Sequence, residues 1–423
     1  MSHPELSAGS DAASAAGTGP TRSTLLTPAL IAFFAVACGL CVANIYYAQT
    51  LISLIAPDLG LPAGLAGLIV SFTQLGFGAG LLLIVPLSDL VENRRLVALA
   101  MGCVVLGLGG IVISDSTATY LLASFVLGAG AVASPLLVLF ASQLTPPESR
   151  GRVVGTIMGG LVTGIMLARP IASYVASELG WRAVFALSCC LMTALIVILL
   201  RVLPRHVPTG GLGYRAIMSS LPRMVARTPL LRRRAFFQGM LFATFNLFWT
   251  GAPLLLMREF GMGHKGIALF ALAGAAGALA APIAGRLADR GLTRLTTCIA
   301  LATCTLASLI SALSEPVHSL VPLVMAALLI DAAVQVNHVV SLRCLYLLPP
   351  ELRGRLNGLY LAFVFLCGAG GSALAAALYE HGNWIVLAAT GELFGAVALL
   401  AFLIAPPRRV SPVTQVQASD IRK

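Results

Sequence analysis

The sequence predicts an all-α integral membrane protein, with twelve transmembrane helices in two pseudo-symmetric halves of six. Three observations predict it. Hydrophobic residues make up 58% of the 423 residues and charged residues 10%, where a soluble domain carries roughly 25% charged. Long apolar runs alternate with short polar breaks. The breaks repeat about 200 residues apart, so that Pro146-Pro147-Glu148-Ser149-Arg150-Gly151-Arg152 returns as Pro349-Pro350-Glu351-Leu352-Arg353-Gly354-Arg355, and Leu87-Ser88-Asp89 returns as Leu287-Ala288-Asp289. Duplicated sets of helices with matching loops are a common build for secondary transporters.

The runs fall at 28–55, 64–86, 96–114, 117–143, 152–177, 181–202, 235–257, 265–285, 292–313, 319–347, 356–379 and 384–405. Each is about the 20–25 residues needed to cross a bilayer. They divide the chain into a six-helix half over 25–202, a basic linker over 203–234 and a second half over 235–406. With the N-terminus cytoplasmic, 22 of the 27 Lys and Arg fall in cytoplasmic segments, eight of them between Arg201 and Arg234. That bias sets both termini in the cytoplasm and suits a bacterial inner membrane. The net charge of +11 is spread over six segments and gathers on no one face, which argues against nucleic acid as a partner.

Residues 1–24 and 407–423 read as disordered cytoplasmic tails, without the basic-then-apolar order of a cleavable signal. Within the linker, Tyr214–Val225 reads either as an amphipathic helix on the membrane surface or as a plain tether. The nine cysteines lie inside apolar runs without metal-ligand spacing, and read as small packing residues.

The loop Gly285-Arg286-Leu287-Ala288-Asp289-Arg290, followed by Gly291 and Arg294, closely matches the signature loop of the major facilitator superfamily. Its first-half counterpart keeps Asp89, then Arg94 and Arg95. Over residues 25–405 the chain resembles that superfamily, and most of all its twelve-helix drug:proton antiporter branch. Asn44-Ile45-Tyr46-Tyr47-Ala48-Gln49 through Asp58-Leu59-Gly60, and Gly180-Trp181-Arg182-Ala183-Val184-Phe185, carry the finer likeness. Two positions depart from the branch. Ser124 stands where its fourth helix has an arginine, and Arg169-Pro170 stands where its fifth has Gly-Pro. The resemblance implies the major facilitator fold, alternating access, a monomer, and a gating role for Asp89, Arg94, Arg95, Gly285, Asp289, Arg290 and Arg294. An Asp at a helix end within reach of arginines can latch the halves together.

Ionisable groups inside a bilayer are expensive and by default face a cavity or a partner. Asp331 stands near the middle of the tenth run, with Gln335 and His338 four and seven residues on, so the three share a helical face. Asp331 is the candidate proton carrier, His338 a relay or substrate ligand and Gln335 a candidate substrate ligand; the alternative is a structural hydrogen-bonded network. Arg169 lies about 24 Å along the fifth helix, in the outer half of the membrane. It is a candidate to hold an anionic substrate, to pair with Asp331 or Glu392, or to snorkel outward. Glu392 is a second proton-coupling candidate or an interhelical hydrogen-bonding group, and Arg343 reads as a snorkelling anchor. Phe242, Phe245, Asn246 and Trp249 on the seventh run, with Asn44 and Tyr47 on the first and Gln74 on the second, are expected to line a pocket for a small organic molecule; for Tyr47 an interfacial anchor is the competing reading.

No phosphate-binding glycine loop, metal cluster or nucleophile elbow is present in the sequence. The chain therefore reads as no enzyme, without cofactor or metal, drawing its energy from an ion gradient. The expected function is a proton-coupled exporter of small organic or amphipathic molecules; a proton symporter for a sugar or organic anion, or an uncoupled facilitator, are the alternatives.

Overall fold

A computed structural model describes residues 27–203 and 213–404, and among these every regular element is a helix. The two expected tails, and positions 204–212 of the linker, lie outside the described residues.

In the first half, α1 (Pro28–Ala43), a tight turn at Tyr47–Thr50 and α2 (Ile52–Asp58) make one broken span. Thr27 caps α1 by accepting from the Leu30 amide at 3.3 Å, and Pro28 fills the first helical position, where a missing N–H costs nothing. Then follow α3 (Leu68–Leu83), α4 (Asn93–Val112), α5 (Thr117–Gly130) with α6 (Ala133–Leu144), α7 (Pro147–Leu179) and α8 (Trp181–Val202). Pro135 lacks the N–H that would reach back to Ala131, and the fourth span bends there into α5 and α6.

The surface helix α9 (Tyr214–Arg227) leads into the second half: α10 (Pro229–Arg258), α11 (His264–Ala275) and α12 (Ala281–Asp289), α13 (Thr293–Ala312), α14 (Leu320–Tyr346) and α15 (Pro350–Ile404). The eighth span breaks between α11 and α12, where Pro282 removes a backbone donor. The α15 element is two spans joined at Asn383, whose φ of 66° turns the chain. Asn383 Oδ1 then accepts from the amides of Ile385 and Val386 and so caps the last span.

Among the described residues nine helices are long and apolar enough to cross a membrane. Twelve spans follow because α15 holds two and because the first and eighth are broken into shorter pieces.

One expected boundary moves. Residues 229–234 belong to α10 and not to the linker, with Pro229 in the first turn and Leu231 and Ala235 buried. Hydropathy marks only the apolar core of a helix, whereas here the helix continues below it as an amphipathic turn. Arg234 spends its charge there on the Thr297 hydroxyl of α13, at 2.8 Å. The helix expected at Tyr214–Val225 is present as α9.

The duplicated loops do the same local work. Arg150 donates back to the Thr145 carbonyl at 3.4 Å, and Arg353 to the Leu348 carbonyl at 3.0 Å. Each arginine thus covers a carbonyl that the preceding span leaves open.

The halves meet where α3 packs on the first part of α15 and α7 packs on α11. The α3–α15 seam is tightest at the end away from the duplicated loops. A Cβ on Gly67 would overlap the Ser372 carbonyl, whereas one on Gly78 would sit 3.5 Å from the Ala362 carbonyl. Ser71 adds a 2.8 Å hydrogen bond to the Ala369 carbonyl at the tight end. Gly67→Leu is therefore expected to lower the melting temperature of the detergent-solubilised protein, with overpacking costing about 1–3 kcal/mol. Gly159→Ala, exposed on α7 with nothing nearby, is the control and should leave the temperature unchanged or slightly raised; equal melting for the two would contradict a close-packed seam.

Candidate functional site

Arg169 is carried by α7 of the first half, in a segment otherwise made of apolar and small residues, and only 2% of it is exposed. An arginine held this far from water requires compensation. The ion-pair and ring partners of its guanidinium all come from the second half. Nη2 lies 3.5 Å from Oδ2 of Asp331 on α14. The guanidinium covers the Trp249 ring of α10 at 3.9 Å and lies 5.1 Å from the Phe245 ring. Trp249 serves both charges: its face meets the cation, and its indole N–H donates to Asp331 Oδ1 at 2.8 Å. Arg169 Nε and Nη1 have no partner.

One helical turn from Trp249 stands a second polar group, made only of amides. Asn246 Oδ1 accepts from Gln49 Nε2 at 2.9 Å and from Gln74 Nε2, and Asn246 Nδ2 donates to its own helix at the Phe242 carbonyl. All three side chains are fully buried. Both glutamines donate to Asn246, and the Oε1 atom of each lacks a donor. Gly368 of α15 makes room: a Cβ there would crowd Gln74 Oε1, Phe242 and Asn246. Phe242 and Phe245 stack at 5.5 Å between the two groups, and Thr50, next to Gln49, donates to the Arg169 carbonyl at 3.4 Å. Arg169, Asp331, Trp249, Gln74, Asn246 and Phe242 thus come together where the halves meet.

Other expected residues sit elsewhere. His338 contacts Tyr360 of α15 at 3.2 Å, about 10 Å of helix rise away from Asp331. Beside it Asn337 donates to Gln238 at 2.8 Å, and Gln238 to the Val334 carbonyl at 3.2 Å. Gln335 and Glu392 are half-buried, and Arg169 takes Asp331, not Glu392, as its partner. Asn44 accepts from Ser188 at 2.7 Å, and Tyr47 packs edge-on against Phe185, so both turn into the first half toward α8.

The duplicated aspartates have different partners. Asp89 reaches across the halves to Arg355 at 3.4 Å, while Asp289 pairs with Arg343 inside its own half. Arg343 is therefore an ion-pair partner rather than a lone snorkelling anchor. Arg95 pairs with Glu92 at 3.0 Å, Arg294 lies 5.5 Å from the Phe402 ring, Arg94 and Gly285 are half-buried and Arg290 is exposed. At the opposite end Lys265 of α11 bridges to Glu178 of α7 at 2.7 Å. Asp58 accepts from Trp181 at 3.2 Å and pairs with Arg182, so the two stretches that carry the finer sequence likeness form one cluster.

Sequence reasoning undervalued Gln49, Asn337 and Tyr360. Gln49 carried a usable signal, a second amide five residues after Asn44 in an apolar run. Tyr360 carried none, since a tyrosine in an apolar run packs as readily as it donates.

The Major Facilitator Superfamily profile matches residues 30–342. The chain is 38% identical over 381 residues to a putative uncharacterized transporter of Escherichia coli (strain K12), covering 89% of this chain and 95% of that one. It is 31% identical to a probable transporter of Streptomyces coelicolor, covering 86% and 85%. Among solved structures, a crystal structure of a D-xylose–proton symporter superposes with a TM-score of 0.67 at 16% identity, covering 89% of this chain and 96% of that one. Two halves of six helices, signature loops on both and a match over most of its length make this chain a member of the major facilitator superfamily, a multi-pass membrane transporter and not an enzyme.

Proposed function

We propose that the chain is a proton-coupled exporter of small organic molecules, in which the Arg169–Asp331 pair is the coupling element. The observation that carries this reading is that the pair spans the two halves while almost fully buried. A transporter of this superfamily works by moving one half against the other around a site between them. An ionised Asp331 attracts Arg169 and thereby holds the halves together. A proton on Asp331 removes that attraction and lowers the cost of separating the halves. A substrate that binds against the ionised Asp331 competes with the proton for it, which is the linkage an antiporter needs. Trp249, Phe242, Asn246 and Gln74 would line the substrate's side of that site. The basic end of the bundle, with Arg150, Arg152, Arg232 and Arg355, is assigned to the cytoplasm by the positive-inside rule, in an inner membrane and as a monomer.

A second reading is favoured by one observation. Arg169 keeps two unused N–H donors, which suits an anionic substrate; a proton on Asp331 frees Arg169 for such an anion, so that the two bind together and an organic anion is taken up with a proton.

Reconstituted into liposomes with an internal pH dye, the wild-type protein should give compound-driven proton flux, and Asp331→Asn should lose at least about 90% of it, in line with the tenfold and larger effects of removing a positioned proton-transfer group. The sign of the flux separates exchange from co-transport. Undiminished flux in the variant would sink the coupling role of Asp331. In unfolding of the solubilised protein, Asp331→Ala should cost about 3–5 kcal/mol by stranding Arg169, and adding Arg169→Met should recover a large part of it. Additive losses would mean that the two groups do not act as a pair.

A further inference from the structure

The site between the halves holds unsatisfied polar atoms of two opposite kinds. At one end are donors, Nε and Nη1 of Arg169; at the other are acceptors, Oε1 of Gln49 and of Gln74. All four belong to side chains at least nine-tenths buried. A buried polar atom without a partner is destabilising, so four in one place are a standing cost that a complementary molecule would relieve. Between them run the stacked rings of Phe242 and Phe245 and the face of Trp249. Asn246 and Trp249 are three residues apart and Phe242 and Trp249 seven, which sets the ends roughly 5–10 Å apart along α10.

We infer that this site takes a flat organic carboxylate bearing a hydrogen-bond donor at its far end, with the carboxylate on Arg169 and the donor on Gln49 and Gln74. The inference rests on the second reading above, an organic anion carried with a proton, and names its substrate class. A carboxylate is the acceptor that matches a guanidinium fork, and it is also what Asp331 already is. Substrate and Asp331 therefore contend for the same cation, and the substrate gains the cation only as Asp331 gives it up. The amide end supplies selectivity. A site built to receive a donor rejects an analogue that lacks one, because its acceptors stay unpaired. The rings supply apolar contact to a planar middle. Gly368 fits this role, since any side chain there would press on Gln74 Oε1 and Phe242.

The test is binding to the full-length protein in detergent, followed by tryptophan fluorescence, with four related probes. These are 4-aminobenzoate (both features), benzoate (no donor), 4-nitrobenzoate (an acceptor in place of the donor) and 4-aminobenzamide (no carboxylate). The expected order puts 4-aminobenzoate at least about tenfold ahead of each of the others. Gln74→Leu should erase its advantage over benzoate and leave benzoate itself unchanged. Asp331→Asn should tighten 4-aminobenzoate about tenfold, since it frees Arg169, while Arg169→Lys weakens every carboxylate probe. The idea is overturned if benzoate and 4-aminobenzoate bind alike, if Gln74→Leu weakens both equally, if Asp331→Asn gives no gain, or if no probe binds at millimolar concentration. Proton flux in liposomes keeps the two readings apart. Flux driven only by compounds without a carboxylate, and lost in Asp331→Asn, would uphold coupled transport and refute this substrate class.

Discussion

The contact between Arg169 and Asp331 organises most of what surrounds it. Neither charge is tolerable alone at that depth, so each half depends on the other for the state of a residue in its own interior. The consequences reach outward from there. Trp249 is held in one orientation because its ring and its N–H answer opposite charges. The aromatic ladder on α10 continues from it through Phe245 to Phe242, and the amide cluster begins where the ladder ends. The seam between the halves is thus a polar surface embedded in an apolar bundle, and its stability depends on charge state in a way that packing between leucines does not.

Polar pairs at the two ends of the bundle act differently. Glu178–Lys265 and Asp89–Arg355 also join the halves, but they stand partly or largely in solvent, where a pair contributes about 0–1 kcal/mol. Contacts of that size can form and break during each cycle at little cost. The deep pair cannot, which is why it is the better candidate for a step that must wait on a bound species.

Much of the fold was legible in the sequence, because a bilayer permits few structures and hydropathy reports them directly. The duplicated loops located matching helices in the two halves, and Arg150 and Arg353 do the same work in both. Where the reading failed, an interaction between distant segments decided the outcome. Arg169 and Asp331 each stood out as costly, yet nothing in a single sequence says which of two carboxylates an arginine takes; that required α7 and α14 to be brought together. Asn44 and Tyr47 share the first run with Gln49 and are the residues expected in the pocket, but past Ala43 the chain leaves the α-helix, and these two turn toward α8 while Gln49 meets Asn246. A broken span does not keep one face over its length, so periodicity counted through the break misassigns the residues beyond it. The start of α10 at Pro229 was hidden for the opposite reason, since its first turn carries arginines that hydropathy scores as loop.

The duplication has a consequence for how a ligand is seated. In the register set by the repeated Pro-Pro-Glu loops, Arg169 corresponds to Ser372 and Asp331 to Gly128. The backbone therefore has an approximate twofold axis that the charges ignore: one cation and one anion lie across the seam, with a serine and a glycine at the mirrored posts. Six spans in each half put both halves the same way up, so that axis runs along the membrane normal and exchanging the halves leaves the same face of the bundle open. A strictly twofold site would accept a molecule equally well in two orientations related by a half turn. Here the two walls are chemically unlike, and the handedness of binding is written into two side chains rather than into the scaffold.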